Sequence, residues 1–204
     1  TLPFLDFDMA RLDSIELYPY KRVFDAGMTS VMTAHLSIPS LEPNTSLPTS
    51  LSKKVVTDLL QQKMGFLGLI ITDGLNMKGA TDYATSAEID LAAIQAGNDL
   101  LLIPQDVPAT VKLMKNAIAL KTLSEERLDF SVRKILKAKY WAGLHNYKPI
   151  VLENLREDLN TVEDDLLHRE LVKNSITVVK NLHGNIPIRN LEKKKIAYVE
   201  LGDD

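Results

Sequence analysis

The chain has 204 residues, of which 45% are hydrophobic and 25% are charged, a composition typical of a globular protein with a buried core. Its net charge of -3 gives no excess of basic residues with which to bind nucleic acid or anionic lipid. The absence of cysteine excludes disulfides, thiolate zinc sites and cysteine nucleophiles. Any catalysis by this chain would therefore use carboxylates, histidines or hydroxyls, and neither a metal nor a cofactor is expected.

Both ends of the chain carry information about its context. The start, Thr1-Leu2-Pro3-Phe4, has neither an initiator Met nor the pattern of a signal peptide, and the last residues directly follow a predicted strand. We therefore expect the chain to be a piece of a longer protein. No stretch approaches the roughly 20 apolar residues that span a bilayer, so no membrane segment is expected. The sequence does not indicate a cellular compartment.

Short apolar runs alternate with helical patterns through the first part of the chain. Strands are predicted at 30–34, 68–72 and 99–103. Helices are predicted before Gly27, after Ser52 as an N-cap, after Ser86, and from Asp106-Val107-Pro108 onward. Because strands and helices alternate at the roughly 30-residue spacing of βαβ units, a parallel sheet is expected.

A long amphipathic helix is predicted next, with Ser124 as its N-cap. The apolar stripe that we expect to be buried comprises Leu128, Val132, Ile135, Leu136 and Tyr140. The face that we expect to be solvated carries Arg133, Lys134, Lys137 and Lys139.

The apolar period weakens around Tyr147-Lys148-Pro149, which indicates a domain boundary. The predicted organisation is a first domain at 1–145, a linker at 146–163 and the start of a second domain at 164–204. Within the second domain the pattern predicts a helix at 164–174, strands at 176–180 and 196–201, and a turn at 183–185.

The second predicted strand delivers a carboxylate, Asp73, at its carboxyl end. Sites in αβ barrels and doubly wound sheets are built at this end, and a strand terminus gives a reactive carboxylate a rigid mount. The same pattern also fits a structural Asp that caps the following helix or makes an Asx turn with Gly74. Strand position alone leaves both interpretations open.

Several motifs resemble family 3 glycoside hydrolases in their order and spacing. They are Val31-Met32-Thr33-Ala34-His35, Leu51-Ser52, Gly65-Phe66-x-Gly68 leading into Thr72-Asp73-x-Leu75-x-Met77, Ala96-Gly97-Asn98-Asp99, and Ser175-Ile176-Thr177-Val178 followed by Ile186-Pro187-Ile188. The resemblance implies an α/β fold, in which the chain forms the C-terminal portion of a TIM-type (β/α) barrel followed by the beginning of an α/β sandwich domain. It also assigns the role of catalytic nucleophile to Asp73.

The resemblance further implies retaining hydrolysis through a covalent glycosyl-enzyme. Glucosidase-type members usually carry Trp directly after the nucleophile, whereas this chain has Gly74, and its continuation to Met77 is more similar to the branch that removes β-linked N-acetylglucosamine. In that branch the acid/base is a His of an Asp-Ser-His motif, which the resemblance places before Thr1. We therefore predict a retaining β-N-acetylglucosaminidase that acts on amino sugar glycans such as cell wall or chitin fragments.

Among the histidines, His35 is the one at the carboxyl end of a predicted strand, where it would contact substrate or hydrogen-bond a neighbouring loop. His35 and Met77 are accordingly the predicted substrate-binding residues. His145, His168 and His183 are expected at the surface, and no cluster of His, Asp and Glu has the spacing of metal ligands.

Two alternatives stand beside this prediction. One is a β-glucosidase-type family 3 hydrolase, and the other is a catalytically inactive structural fragment that self-associates. A carbohydrate substrate is the expected partner if the protein is a β-N-acetylglucosaminidase or a β-glucosidase. A second copy of the chain is the expected partner if it is an inactive fragment. Nucleic acid is not expected as a partner.

Overall fold

The computed structural model describes residues 2–184, 186–197 and 199. The chain divides into two compact units, Thr1–Tyr147 and Lys148–Asp204. Each unit is described separately below. The predicted limits of the domains and of the linker stay predictions.

Helices and strands alternate along the first unit. Its α-helices are α1 Met9–Arg11, α2 Tyr18–Asp25, α3 Lys78–Thr81, α4 Ser86–Ala96, α5 Val107–Ala119 and α6 Glu125–Trp141. The segments Leu12–Glu16 and Lys54–Lys63 are π-helical, and Thr49–Leu51 and Leu144–Asn146 are 3-10 turns.

Three strands form one sheet in the order β1-β2-β3, with β1 Ser30–Thr33, β2 Leu69–Gly74 and β3 Leu100–Leu102. Both pairings are parallel, which confirms the predicted parallel sheet. In the register, Val31 lies opposite Ile70 and Thr33 opposite Thr72. The carboxyl ends of β1 and β2 therefore lie side by side.

The two faces of this sheet are covered to different extents. On one face Ile70 is 0% exposed and packs in a cluster with Val56, Phe66 and Ala96, which belong to the connections on either side of β2. Side chains alternate along a strand, so Ile71 and Asp73 point to the opposite face. Met32 lies beside Ile71 in the register and is 54% exposed. The face that carries Asp73 is thus the open one.

Helix starts follow capping chemistry at most of the predicted positions. Asp106 accepts a hydrogen bond from Ala109 N at the start of α5, and Ser124 accepts one from Arg127 N at the start of α6, as predicted. Ser52 stands at the predicted helix start, where its backbone is extended and its carbonyl oxygen accepts from Val56 N at 2.9 Å. Its side chain makes no capping hydrogen bond, because the buried hydroxyl donates to the Oε2 atom of Glu42 at 2.7 Å.

Helix α6 buries a different face from the predicted one. Ser131 is 4% exposed, and the side chain of Lys134 is 14% exposed, although Lys134 was expected on the solvated face. Three members of the predicted apolar stripe are exposed instead, namely Val132, Leu136 and Tyr140. The remaining two, Leu128 and Ile135, are partly buried.

The cause of this rotation is a buried carboxylate at the start of β3. The side chain of Asp99 is 0% exposed and accepts hydrogen bonds from Ile70 N at 3.0 Å, from Ser131 Oγ at 2.5 Å and from Lys134 Nζ. A carboxylate removed from water requires partners of this kind. Docking Ser131 and Lys134 onto Asp99 turns the predicted stripe away from the sheet.

The second unit contains α7 Leu155–Asp158, α8 Val162–Ser175 and a 3-10 turn at Leu191–Lys193. Helix α8 confirms the helix predicted at 164–174. The strand predicted at 176–180 is wrong, because these residues pair with no neighbour in the described part of the chain, where no residue of this unit is buried. The predicted strand at 196–201 and the turn at 183–185 lie partly outside the described residues, and the described positions 196, 197 and 199 are not in a strand.

Candidate active site

Two glycines and one aromatic residue bring the chain into β2. Gly65 has φ +70°, a conformation that favours glycine, and it turns the chain after the helix Lys54–Lys63. Phe66 is 3% exposed and its ring lies 4.4 Å from that of Phe24. A Cβ on Gly68 would collide with the carbonyl oxygen of Thr29 and with the Phe66 ring. These close contacts fix where β2 begins. They therefore also fix the position of its carboxyl end, which carries Asp73 and Gly74.

One of the two carboxylate oxygens of Asp73 is hydrogen-bonded. Its Oδ1 atom accepts a hydrogen bond from Gly74 N at 2.7 Å. Among the residues that the structure describes, Oδ2 accepts no hydrogen bond and no cation forms an ion pair with Asp73. The N-cap of α3 is Met77, so Asp73 does not cap the following helix, whereas its bond with Gly74 is the local contact that the structural interpretation also allowed. One oriented oxygen and one open oxygen on a partly exposed residue suit a nucleophile.

His35 follows β1 by two residues and is 5% exposed. Its Nε2 atom lies 3.1 Å from Gly74 O, and its Nδ1 atom lies 2.6 Å from Ser50 Oγ. A carbonyl oxygen only accepts hydrogen bonds, so Nε2 carries the proton and donates it. The sequence predicted that His35 would either contact substrate or hydrogen-bond a neighbouring loop. The structure shows the second, because His35 bonds to Ser50 and Gly74. A contact of His35 with substrate stays a prediction.

Met77, the other predicted substrate-binding residue, lies at the end of the turn that follows Asp73. Its backbone N donates to Gly74 O at 3.0 Å, and the residue is 49% exposed. An apolar, adaptable thioether is therefore accessible three residues beyond the turn's start at Gly74. Its contact with substrate stays a prediction.

Sequence patterns did not single out Ser50 or Asn98 as part of this site. Ser50 is 0% exposed, and its carbonyl oxygen accepts a hydrogen bond from Asn98 Nδ2 at 2.8 Å. The Oδ1 atom of Asn98 accepts one from Thr33 Oγ1 at 2.9 Å. The run Thr49-Ser50-Leu51-Ser52 has no apolar period that would reveal its burial, so only the tertiary structure identifies Ser50 as the partner of His35.

The other predicted site features can be placed briefly. His145, His168 and His183 are exposed, as expected. Within residues 2–184, 186–197 and 199, no group of His, Asp and Glu side chains could hold a metal ion. No helix in the described part of the chain is both long enough and apolar enough to cross a membrane.

A parallel sheet with helices on one face and a carboxylate at a strand's carboxyl end defines an α/β protein of the kind that builds its site at that edge. Residues 1–138 match the family profile described as "Glycosyl hydrolase family 3 N terminal domain". The chain belongs to glycoside hydrolase family 3. The N-terminal domain of this family has a TIM-barrel type fold, which confirms the predicted fold class for the first unit, whereas the sandwich domain stays a prediction.

The relatives of this chain carry two kinds of name. A protein of Cellulomonas fimi named β-N-acetylglucosaminidase/β-glucosidase is 27% identical over 190 residues, which cover 89% of this chain and 34% of that protein. The β-hexosaminidase of Chromobacterium violaceum is 37% identical over 102 residues, which cover 50% of this chain and 28% of that protein. The chain thus spans about a third of the length of these relatives.

Solved structures include similar folds. A family 3 β-N-acetylglucosaminidase from Paenibacillus sp. str. FPU-7 superposes with a TM-score of 0.79 at 31% sequence identity. The match covers 86% of this chain and 34% of that one.

Proposed function

We propose that the natural full-length protein containing this chain is a retaining β-N-acetylglucosaminidase that acts on amino sugar glycans, with Asp73 as its nucleophile. The observation that carries the proposal is the carboxylate of Asp73 at the carboxyl end of β2, with Oδ1 held by Gly74 N at 2.7 Å. Its membership of family 3 and the names of its relatives support the reaction class. The proposed chemistry requires no cofactor.

In the first step an oxygen of Asp73 attacks the anomeric carbon, and the bond from that carbon to the leaving-group oxygen breaks. A general acid protonates the departing oxygen. In the second step water attacks the same carbon and gives a proton to the same group, now a base, while the bond to Asp73 breaks and the free sugar is released. The hydrogen bond from Gly74 N holds the carboxylate in orientation through both steps.

The general acid is a separate residue from His35. Both ring nitrogens of His35 have protein partners, Ser50 Oγ at 2.6 Å and Gly74 O at 3.1 Å, so neither offers a proton to a leaving group. The resemblance assigns the acid to the His of an Asp-Ser-His loop in the natural full-length protein.

Preference for an N-acetylated sugar is proposed from the residues after the nucleophile. Gly74 has no side chain, and Met77 is 49% exposed beside it, so an apolar thioether is accessible near the proposed nucleophile. A β-glucosidase is the second candidate, favoured by the relative whose name combines both activities. Asp73 would have the same role in either case.

The proposal is tested by comparing Asp73→Ala with a matched Asp58→Ala control in the natural full-length protein. Asp58 is exposed on the helix Lys54–Lys63, away from the strand ends. Loss of a nucleophile should lower kcat on a nitrophenyl N-acetylglucosaminide by about three orders of magnitude or more, while the control keeps its activity. Near-normal turnover by the Asp73 variant would remove this residue from the mechanism.

A further inference from the structure

Every backbone polar group of Gly74 is bonded, and each bond leads to a part of the candidate site. Its N–H donates to the carboxylate of Asp73 at 2.7 Å. Its carbonyl oxygen accepts from Met77 N at 3.0 Å and from His35 Nε2 at 3.1 Å. The orientation of this one residue therefore sets both the direction of the Asp73 carboxylate and the start of the turn to Met77.

Of the two bonds to the carbonyl oxygen of Gly74, the one from His35 comes from outside the turn. Met77 moves with the turn and cannot anchor it, whereas His35 follows β1 and belongs to a different strand connection. The imidazole is 5% exposed, so water cannot readily replace it as a donor. The hydrogen bond from His35 thus ties the turn after β2 to the end of β1.

The imidazole is itself fixed. In the tautomer that carries its proton on Nε2, Nδ1 accepts from Ser50 Oγ at 2.6 Å. Ser50 is 0% exposed, and its carbonyl oxygen is held by Asn98 Nδ2 at 2.8 Å. Ring position and tautomer are therefore set by a buried chain of hydrogen bonds that reaches the start of β3.

We propose that His35 is a positioning residue, which orients the nucleophile through the carbonyl oxygen of Gly74 and is itself oriented by Ser50. This inference rests on the proposed role of Asp73. It gives His35 no contact with the reacting atoms. A group that acts in this way lowers turnover when it is lost and leaves substrate affinity nearly unchanged, because the carboxylate is still present but points less often at its target.

The test compares two variants of nearly equal size in the natural full-length protein. H35Q keeps an N–H donor near the position of Nε2, whereas H35M has no donor. We expect H35M to lower kcat by about 10- to 100-fold with KM within about threefold of the wild type, and H35Q to recover most of that loss. Calorimetry identifies any variant that does not fold.

A second pair of variants addresses the partner of His35. S50A removes the hydroxyl that donates to Nδ1, and S46A removes an exposed hydroxyl from the same loop as a control. S50A should lower kcat in the same direction as H35M, and S46A should not. If H35M fails to fold, S50A decides the question by the same criterion.

A readout independent of activity is amide hydrogen exchange in the peptide that covers residues 73–77. Exchange should be faster in H35M than in H35Q or the wild type, because the turn loses its hydrogen bond to the end of β1 and keeps only the bond from Leu75 N to Leu102 O as an external anchor. Unchanged exchange in H35M, an unchanged kcat, or a loss that lies wholly in KM would overturn the positioning role. If the wild-type protein hydrolysed neither glycoside, the proposed function would be wrong. The exchange experiment would still test whether His35 anchors the turn at residues 73–77.

Discussion

The Nε2 atom of His35 lies 3.1 Å from the carbonyl oxygen of Gly74, which joins the residue after the proposed nucleophile to the neighbouring strand connection. The two residues are far apart in sequence and meet because β1 and β2 are parallel and in register at Thr33 and Thr72. Parallel pairing therefore does more than support the sheet. It brings the donor His35, which follows β1, to the turn after β2 that orients the carboxylate of Asp73.

The first prediction concerns sugar preference. The natural full-length protein should have a higher kcat/KM for the nitrophenyl N-acetylglucosaminide than for the nitrophenyl glucoside. The lack of a side chain at Gly74 is the physical reason, because a Cβ there would lie 2.9 Å from Asn76 Oδ1 and 3.5 Å from Met77 Cγ, and without it the exposed Met77 keeps its place near Asp73. A large side chain at position 74 would have to displace both residues.

The variants G74W and G74A separate this effect from a general loss of activity. G74W should lower kcat/KM for the N-acetylglucosaminide more than for the glucoside, since it displaces Met77. G74A should show a smaller difference, because the side-chain end of the exposed Asn76 can move aside. A wild-type preference for the glucoside would assign the protein to the glucosidase branch and leave Asp73 in its proposed role.

The second prediction concerns the buried ion pair that docks α6. Lys134→Met should lower the melting temperature of the unfolding transition that contains this unit. Asp99, whose side chain is 0% exposed, would lose its hydrogen-bonded cation and keep only Arg127, whose guanidinium lies 3.9 Å away. Breaking such a pair commonly costs about 3 kcal/mol or more. Lys137→Met on the exposed face of the same helix is the control. Equal melting temperatures for the two variants would show that Ser131, Ile70 N and Arg127 satisfy Asp99 without Lys134.

The same helix shows where sequence patterns stop being informative. Its existence and its N-cap at Ser124 could be predicted, because both are local properties. Its buried face could not, since this depends on Asp99, a residue that is distant in sequence and buried with its charge. The apolar period in α6 is real, but an electrostatic requirement decides which side of the helix meets the sheet.

The candidate site divides in a similar way. Asp73 could be predicted, because a run of strand-forming residues places it at a strand's carboxyl end within a family-like motif. The bond from Ser50 to His35 could not be predicted, since Ser50 lies in a loop whose burial follows no period. The sequence identified the proposed nucleophile, and it did not reveal the contacts that orient this residue.

The third prediction concerns Asp90 on α4, which is 1% exposed. Its Oδ2 atom accepts from Thr110 Oγ1 at 2.5 Å, and its Oδ1 atom has no partner among the described residues. Burial raises the pKa of Asp90 above the ordinary value of 3.8, although the bond from Thr110 opposes the rise. The folded state therefore binds this proton more tightly than the unfolded state does.

It follows that the contribution of Asp90 to stability is greatest below the unfolded-state pKa and is lost as pH rises through the folded-state pKa. Asp90→Asn should raise the melting temperature relative to the wild type more at about pH 7 than well below the ordinary pKa of 3.8, where the Asp90 carboxyl is protonated and both side chains are neutral. The exposed Asp58→Asn variant should show no such dependence. A difference between Asp90→Asn and the wild type that stays constant with pH would contradict the prediction.

The last prediction concerns the 204-residue chain expressed by itself. In the described sheet β1 pairs only with β2, and Met32 on the open face is 54% exposed. A strand with one unpaired edge and apolar side chains in water favours association. We therefore expect light scattering to give a mass above the 22.8 kDa of a monomer. Met32→Lys should reduce the association, because an edge charge opposes strand pairing, whereas the control Lys137→Met should leave it unchanged.

The isolated chain should also hydrolyse neither glycoside, because Asp73 then acts without the proposed acid, whose help is commonly worth about 10² to 10⁴ in rate. Robust hydrolysis by a clean monomer would contradict both expectations and would require that a residue within this chain supplies the acid.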